Sequence, residues 1–209
     1  GRSASLTAPN GQAQRELIAA ALSVAGVQGS EVQTLQAHGT GTALGDPIET
    51  RSLAHIISKR MADEALALGS VKANAGHTEP AAGITGLLRL ALSLQDGLGA
   101  PNGQLRAINP HVGNSLKGIA CALPTQLSAA PACYAQASGL CAGGVSSFGY
   151  SGTIAHALLR VKETPAPATT SSMTSSLPSC PGYLRRRFLW RETPHPLIQL
   201  RAADADGTD

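Results

Sequence analysis

The stretch VQTLQAHGTGTALGDPIE, residues 32–49, predicts a strand, a loop and a helix start in that order. Val32 to Ala37 is a short β-capable run, and it leads into the glycine-hinged loop His38-Gly39-Thr40-Gly41-Thr42. Asp46 is placed to cap the free amides of the following helix, and Pro47 takes its first position. The pattern therefore predicts an α/β arrangement in which this loop follows directly after a strand and precedes a helix.

A second unit of the same kind follows along the chain. Leu68 to Ala73 reads as a strand, residues 74–77 as a loop, and Ala81 to Gln95 as a helix whose first turn is signalled by Pro80. Small residues fill the opening turns of that helix, so we expect it to be buried. An amphipathic helix over Gln12 to Ala25 precedes the first unit.

The remainder of the chain divides by composition. A glycine-dense segment over residues 142–153 leads into a final strand, Ile154 to Lys162. From Thr164 to Pro181, fifteen of eighteen residues are Ser, Thr, Pro or Ala, which is typical of a linker. We therefore expect one domain over residues 1–162, a linker over 163–182, and an arginine- and aromatic-rich docking segment with a frayed tail over 183–209.

Overall composition excludes several classes of protein. Hydrophobic residues make up 43% and charged residues 14%, which indicates a packed core. The net charge of +3 and the 3% aromatic content give no reason to expect nucleic-acid binding. No apolar run reaches the roughly 18 residues of a membrane-spanning helix. Four scattered cysteines without a zinc-ligand spacing argue against a metal site and for a reducing, cytoplasmic location, with an organelle as the alternative.

Three separated blocks, residues 36–49, 71–83 and 146–153, together closely resemble the β-ketoacyl synthase domain of polyketide synthases. The resemblance covers about residues 1–162 and implies a thiolase-like condensing-enzyme fold, a layered helix and sheet sandwich, of which this chain is part. The family carries its nucleophilic cysteine upstream, in a Thr-Ala-Cys-Ser-Ser setting. All four cysteines here follow both histidine blocks in other contexts, so the chain resembles the carboxyl-terminal half of that domain, and its start at Gly1 suggests a processed chain or a piece of a longer one.

The resemblance implies roles for five residues of the first two blocks. His38 and His77 would aim two imidazoles at a thioester oxygen, although a lone histidine is more often a satisfied structural residue. Lys72 would support the histidines through an acidic partner. Thr40 and Thr42 would bond the phosphopantetheine arm of a carrier protein, although small polar residues in a glycine-rich turn need no ligand.

The third block and two departures from the family pattern bear on the same site. Tyr150 stands where the family usually has a phenylalanine that gates the acyl pocket and whose backbone amide completes the oxyanion hole. Gln36 replaces a usual glutamate, and Ile154 replaces a usual asparagine expected to hold a turn. If that loss matters, the Ile154→Asn change should raise the activity of a complete domain.

Other candidate residues have ordinary structural explanations. Glu49 and Glu79 each fall in a predicted first helical turn, where the helix dipole favours a carboxylate. None of the remaining histidines lies where the family does its chemistry, so we interpret them as structural or exposed: His55, His111, His156 and His195.

The resemblance implies decarboxylative Claisen condensation of an acyl thioester with malonyl-carrier protein, in polyketide or fatty-acid biosynthesis. No directly bound cofactor is expected, the partner is an acyl carrier protein, and the complete domain would be a homodimer. As an isolated chain we expect no condensation and an exposed apolar surface. The alternative is a non-catalytic module, derived from a ketosynthase, that binds a carrier protein or partner; a thiolase or chalcone-type enzyme is a distant third.

Overall fold

A computed structural model describes residues 8–58, 60, 65–129 and 140–162 of the 209-residue chain. The predicted linker over 163–182 and the docking segment over 183–209 lie outside these residues, as do Cys133, Cys180 and His195.

Five helices and seven strands occur in the described ranges. The helices are α1 Gly11–Ala25, α2 Gly45–Ile57, α3 Lys72–Ala75, α4 Ala82–Asp96 and α5 Pro110–Leu116. The strands are β1 Val32–Gln36, β2 Leu66–Gly69, β3 Leu98–Gly99, β4 Cys121–Ala122, β5 Ser128–Ala129, β6 Leu140–Phe148 and β7 Ile154–Lys162.

The main sheet has the order β4-β2-β1-β6-β7. Its first four strands are parallel, and β7 pairs antiparallel with β6. All five residues of the central strand β1 are buried, as expected where helices cover both faces of a parallel sheet. Because Gln36 pairs with both Gly69 and Val145, the carboxyl ends of β1, β2 and β6 meet at one edge. The three sequence blocks therefore converge there.

Two apolar clusters pack on the sheet. The larger joins α1 and α2 to β1 and β2, and its Leu53 and Leu66 are almost fully buried. The smaller joins α4 to β6, with Leu90 fully buried. A Cβ on Gly143 of β6 would lie only 2.5 Å from Cδ1 of Leu90, so glycine at this position lets the helix approach the sheet closely.

Helix α4 is apolar on both sides. Leu90 and Leu94 face the sheet, whereas Ile84, Leu88 and Leu92 are 54%, 59% and 56% exposed at four-residue spacing. The prediction of a buried helix is therefore correct for one face only. Ile84, Leu88 and Leu92 therefore form an exposed apolar stripe along α4.

Two local predictions are wrong. Strand β2 ends at Gly69, and residues 72–75 form the short helix α3 in place of the predicted strand end and loop. Asp46 does not cap α2, because the helix already begins at Gly45 and the Asp46 Oδ1 accepts the amide of Gly41 at 3.1 Å. The hydroxyl of Thr42 instead accepts the Gly45 amide at 3.1 Å.

Within the part of the chain that the structure describes, no helix combines the length and the apolar character needed to cross a membrane. Cys121 is a free thiol, whereas Cys141 is disulfide-bonded. The sequence interpretation of the cysteines, which favoured a reducing location, did not anticipate this bond.

Candidate active site

A cavity of about 780 Å³ opens at the edge where β1, β2 and β6 end. Residues of all three sequence blocks line it, together with residues before and within the first turn of α1: Ala8, Pro9, Asn10, Ala13 and Gln14. Of the predicted site residues, those on its wall are His38, Thr40, Thr42, His77 and Tyr150. Lys72 does not line the cavity, and its ammonium contacts the backbone of His38, which does.

The structure brings His38 and His77 together in this cavity. Their ring centroids are 5.9 Å apart and the ring planes are nearly perpendicular, at 86°. On another side, the His38 ring lies 5.8 Å from the ring of Phe148, which is buried at the end of β6. Two imidazoles from separate loops are thus arranged to reach one small ligand group.

A backbone hydrogen bond fixes the tautomer of His77. The amide of Glu79 donates to the Nδ1 atom of His77 at 2.9 Å. In the neutral ring the hydrogen must then be on Nε2, which makes Nε2 a donor. Glu79 adopts a φ of 45°, a left-handed conformation that non-glycine residues rarely take. This strain accompanies the turn that carries the Glu79 amide back to the imidazole.

Charged side chains hold the backbone of His38 on both sides. The carboxylate of Glu49 accepts the amides of His38 and Gly39 at 2.7 and 2.9 Å. The ammonium of Lys72 donates to the carbonyl of His38 at 2.5 Å. Both the backbone N–H and the backbone C=O of His38 are therefore held, which fixes the main chain from which the imidazole projects.

Burial controls the ionisation of this cluster. It lowers the pKa of His38 to about 4, assisted by the charges of Lys72 and His77, so His38 is neutral at pH 7. Burial also raises the pKa of Glu49 to about 7, against the stabilising amides of Gly39 and His38. The pKa of Lys72 is lowered by burial, and the nearby Glu49 and Asp46 oppose that shift.

Glu49 is the site residue that the sequence interpretation missed. Its assignment to the helix dipole is wrong, because its side chain is only 4% exposed and both its oxygens bind the His38 loop. A signal was available: Glu49 stands four residues before Leu53, so both lie on the buried face of α2. An ionisable residue on an apolar helix face requires partners, and here they are backbone amides.

Thr40 and Thr42 lie on the cavity wall with their hydroxyls 3.3 Å apart. Thr42 also fixes the start of α2 through the Gly45 amide, which gives it a structural role independent of any ligand. No comparable bond to the backbone occupies the Thr40 hydroxyl among the hydrogen bonds of the described residues.

Tyr150 in the turn after β6 and Ile154, the first residue of β7, both line the cavity. The Tyr150 side chain is 88% exposed. Main-chain bonds close the turn, from the Gly149 amide to the Thr153 carbonyl at 2.7 Å and from the Gly152 amide to the Gly149 carbonyl at 3.1 Å. The turn therefore forms without an asparagine amide at position 154. On β1, Gln36 is buried and its Oε1 has no hydrogen-bond partner.

The other described histidines lie off the cavity wall. His55 and His111 are exposed. His156 on β7 has its Nδ1 atom 3.0 Å from the Ser146 hydroxyl, and burial lowers its pKa to about 4. Across residues 8–58, 60, 65–129 and 140–162, no three or more His, Cys, Asp or Glu side chains group in a way that would hold a metal ion.

Comparison with known proteins gives a match at the level of the family. The model of the β-ketoacyl synthase C-terminal domain matches residues 1–106. This range contains the His38 loop, the Lys72–His77 loop and helix α4.

Curated relatives are similar over more of the chain. A component of the phenolphthiocerol/phthiocerol polyketide synthase of Mycobacterium tuberculosis is 39% identical over 178 residues, which is 85% of this chain and 9% of that protein. Erythronolide synthase EryA2 from Saccharopolyspora erythraea is 43% identical over 166 residues, or 79% of this chain and 4% of that protein. The chain thus spans less than a tenth of the length of either relative.

Solved structures are similar in the same region. The oxazolomycin ketosynthase domain OzmH KS7 of Streptomyces albus JA3453 has a TM-score of 0.69 and 32% identity, covering 81% of this chain and 30% of that chain. The ketosynthase from module 6 of the bacillaene synthase from Bacillus subtilis 168 also scores 0.69, with 31% identity and coverages of 79% and 29%.

Proposed function

This chain belongs to the β-ketoacyl synthase C-terminal domain family and has its thiolase-like α/β fold, and we propose that it supplies the oxyanion site for a decarboxylative Claisen condensation. The substrates are an acyl thioester and a malonyl group on an acyl carrier protein, in polyketide biosynthesis. The nucleophilic cysteine comes from a segment other than this chain.

The observation that carries this proposal is the pair of imidazoles at one cavity. His77 has its Nδ1 occupied by the Glu79 amide, and the low pKa of His38 keeps that ring neutral. Imidazole N–H donors whose ring centroids lie 5.9 Å apart suit an oxygen on which negative charge develops. A His38 ring that is neutral at pH 7 suits a general acid less well.

The reaction places charge on such an oxygen twice. When the malonyl thioester loses carbon dioxide, the electrons of the broken C–C bond form an enolate whose oxygen accepts hydrogen bonds from His38 and His77. The enolate carbon then attacks the acyl-cysteine thioester. The tetrahedral oxyanion collapses, expels the cysteine thiolate and leaves a β-ketoacyl chain on the carrier. For this second oxyanion, the backbone amide of Tyr150 is the donor on this chain.

The cavity also suits the arm that delivers the malonyl group. Its wall carries the Thr40 and Thr42 hydroxyls beside the imidazoles, and a volume of about 780 Å³ admits a narrow, extended pantetheine chain. The exposed Tyr150 ring lies on the same wall, at the position of an acyl gate.

The test uses a reconstituted domain, defined as this chain joined to a ketosynthase amino-terminal half that carries the nucleophilic cysteine. With an acyl thioester and malonyl-carrier protein, mass spectrometry should detect the β-ketoacyl product. This chain alone, and a reconstituted domain with the cysteine changed to alanine, should form none. Failure of the intact reconstituted domain, with dimerisation established by light scattering, would contradict the proposal.

A second candidate function is a non-catalytic module that binds a carrier protein. The departure at Gln36 favours it, because the buried Oε1 of Gln36 lacks a partner. Such a module would bind malonyl-carrier protein and release no carbon dioxide from it. Simultaneous binding and gas-release measurements on the reconstituted domain separate the two functions.

A further inference from the structure

Asn102 does not line the cavity, yet it connects three segments around it. Its side chain is only 8% exposed. The Oδ1 atom accepts the Ser70 amide at 3.1 Å, and Nδ2 donates to the carbonyls of Leu68 and Pro124, both at 3.2 Å. The side-chain amide therefore ties the end of β2 to the segment that follows β4.

Ser70, which Asn102 holds, touches both histidine-bearing loops. Its hydroxyl accepts the amide of Lys72 at 3.4 Å, at the start of the loop that ends in His77. On the other side, a Cβ placed on Gly39 would lie 2.8 Å from the Ser70 Cβ, so Ser70 packs directly on the backbone beside His38. A displacement of Ser70 would therefore be felt in both loops.

A second asparagine, in the loop that leads to His77, bonds back to the segment around Asn102. Asn74, in α3, donates from Nδ2 to the Pro101 carbonyl at 2.8 Å and accepts the Gly103 amide on Oδ1 at 2.8 Å. A Cβ on Gly103 would lie 2.5 Å from that Oδ1, so the Asn74 side chain packs closely on the backbone of Gly103. The residues on either side of Asn102 are thus bonded to the loop between Lys72 and His77.

We propose that Asn102 is a positioning residue for the condensation chemistry, because it fixes Ser70 and thereby sets the placement of the His38 loop relative to the Lys72–His77 loop. The inference rests on the proposed function. Asparagine is required because aspartate has the acceptor for Ser70 but lacks the donors for Leu68 and Pro124. A misplacement of about 1 Å between catalytic groups lowers a rate by up to about a hundredfold.

The test compares Asn102→Asp with Asn109→Ala. Asn109 caps α5 by accepting the His111 amide at 2.9 Å, and among the described residues it has no hydrogen bond to either histidine-bearing loop, so its loss should weaken the fold without acting on the histidines. In the reconstituted domain, Asn102→Asp should lower kcat for decarboxylation of malonyl-carrier protein about ten- to hundredfold with KM nearly unchanged. Asn109→Ala should leave both parameters at the parent values.

A second readout does not depend on activity. In the full chain labelled with ¹⁵N-histidine, Asn102→Asp should shift or broaden the ring resonances of His38 and His77, whereas Asn109→Ala should not. The hydrogen bonds of Asn74 are exposed, so the Asn74→Ala variant should fold. It should change the ring resonances of His38 and His77 in the same way as Asn102→Asp, but by less. If Asn102→Asp does not fold, the resonances of Asn74→Ala decide whether this contact positions the two loops.

The outcomes distinguish this inference from the proposed function. Parent-like histidine resonances in the folded variants would overturn the positioning role, whatever the activity. If Asn102 had a purely structural role, Asn102→Asp and Asn109→Ala would lose equal amounts of rate for equal losses of thermal stability. That result would also overturn the positioning role of Asn102. If the parent domain releases no carbon dioxide, the proposed function fails, while the resonances still decide whether Asn102 positions the loops.

Discussion

Replacing Glu49 with glutamine tests the unusual ionisation of the most buried carboxylate at the site. Burial raises the pKa of Glu49 from 4.5 to about 7, so the folded protein holds this proton more tightly than the unfolded chain does. The free energy of unfolding of the parent should therefore fall as pH rises from about 4.5 to 7. The size of the shift corresponds to about 3 kcal/mol.

The glutamine variant removes this titration and keeps the shape of the side chain. Urea unfolding of the parent and of Glu49→Gln gives the difference in unfolding free energy between the two proteins, once at pH 4 and once at pH 8. The contributions of groups that titrate alike in both proteins cancel in each difference. We expect the difference, parent minus variant, to be about 3 kcal/mol smaller at pH 8 than at pH 4. An unchanged difference would refute the raised pKa, and a larger difference at pH 8 would show that the carboxylate is stabilised in its charged form.

The same variant should also impair the site. Glutamine has one side-chain oxygen, so it accepts only one of the amides of His38 and Gly39 and turns an N–H toward the other. A buried unsatisfied donor costs about 1 to 3 kcal/mol. We therefore expect slower decarboxylation in the reconstituted domain at pH 8, and an unchanged rate would refute the clamp on His38.

Three further tests concern other parts of the structure. Glu79→Gly should raise the unfolding free energy by about 1 kcal/mol, because glycine adopts a φ of 45° without strain. The backbone amide at position 79 should still donate to His77. A loss of stability would contradict the strain at Glu79. Ile154→Asn should alter the decarboxylation rate less than about twofold, because backbone bonds already close the turn, and a rise of tenfold would show that the amide was needed. In urea unfolding, Leu90→Ala should lower the unfolding free energy by about 2 to 5 kcal/mol, because Leu90 is buried. Leu88→Ala, on the exposed face of the same helix, should lower it by less than about 0.5 kcal/mol. Equal effects would refute the assignment of the two faces.

The elements with strong periodicity were predicted well from sequence. The helix expected over Gln12 to Ala25 is α1, Gly11–Ala25, and the helix expected over Ala81 to Gln95 is α4, Ala82–Asp96. Strand β1 differs from its prediction by one residue. In each case the local spacing of apolar residues agrees with the tertiary contacts, so the local pattern was sufficient.

Predictions failed where distant contacts decide the local structure. The short apolar run before Lys72 is compatible with either a strand or a helix. In the structure the strand ends at Gly69, and the next residue, Ser70, donates its amide to Asn102, which is 32 residues away in sequence. Glu49 satisfies a local rule about helix dipoles, but its partners are loop amides 10 and 11 residues upstream. Asn102 lies in a proline- and glycine-punctuated segment, where no spacing reveals bonds to residues 22 to 34 positions away.

The central claim is that His38 and His77 on this chain stabilise the enolate oxygen. Carbon dioxide release from malonyl-carrier protein by the reconstituted domain tests it most directly, with His38→Ala and His77→Ala compared with His111→Ala, a change at an exposed histidine off the cavity wall. We expect a fall in kcat of about 10² to 10³ for each of the first two variants and parental release for the third. Parental release by either His38→Ala or His77→Ala would contradict the claim.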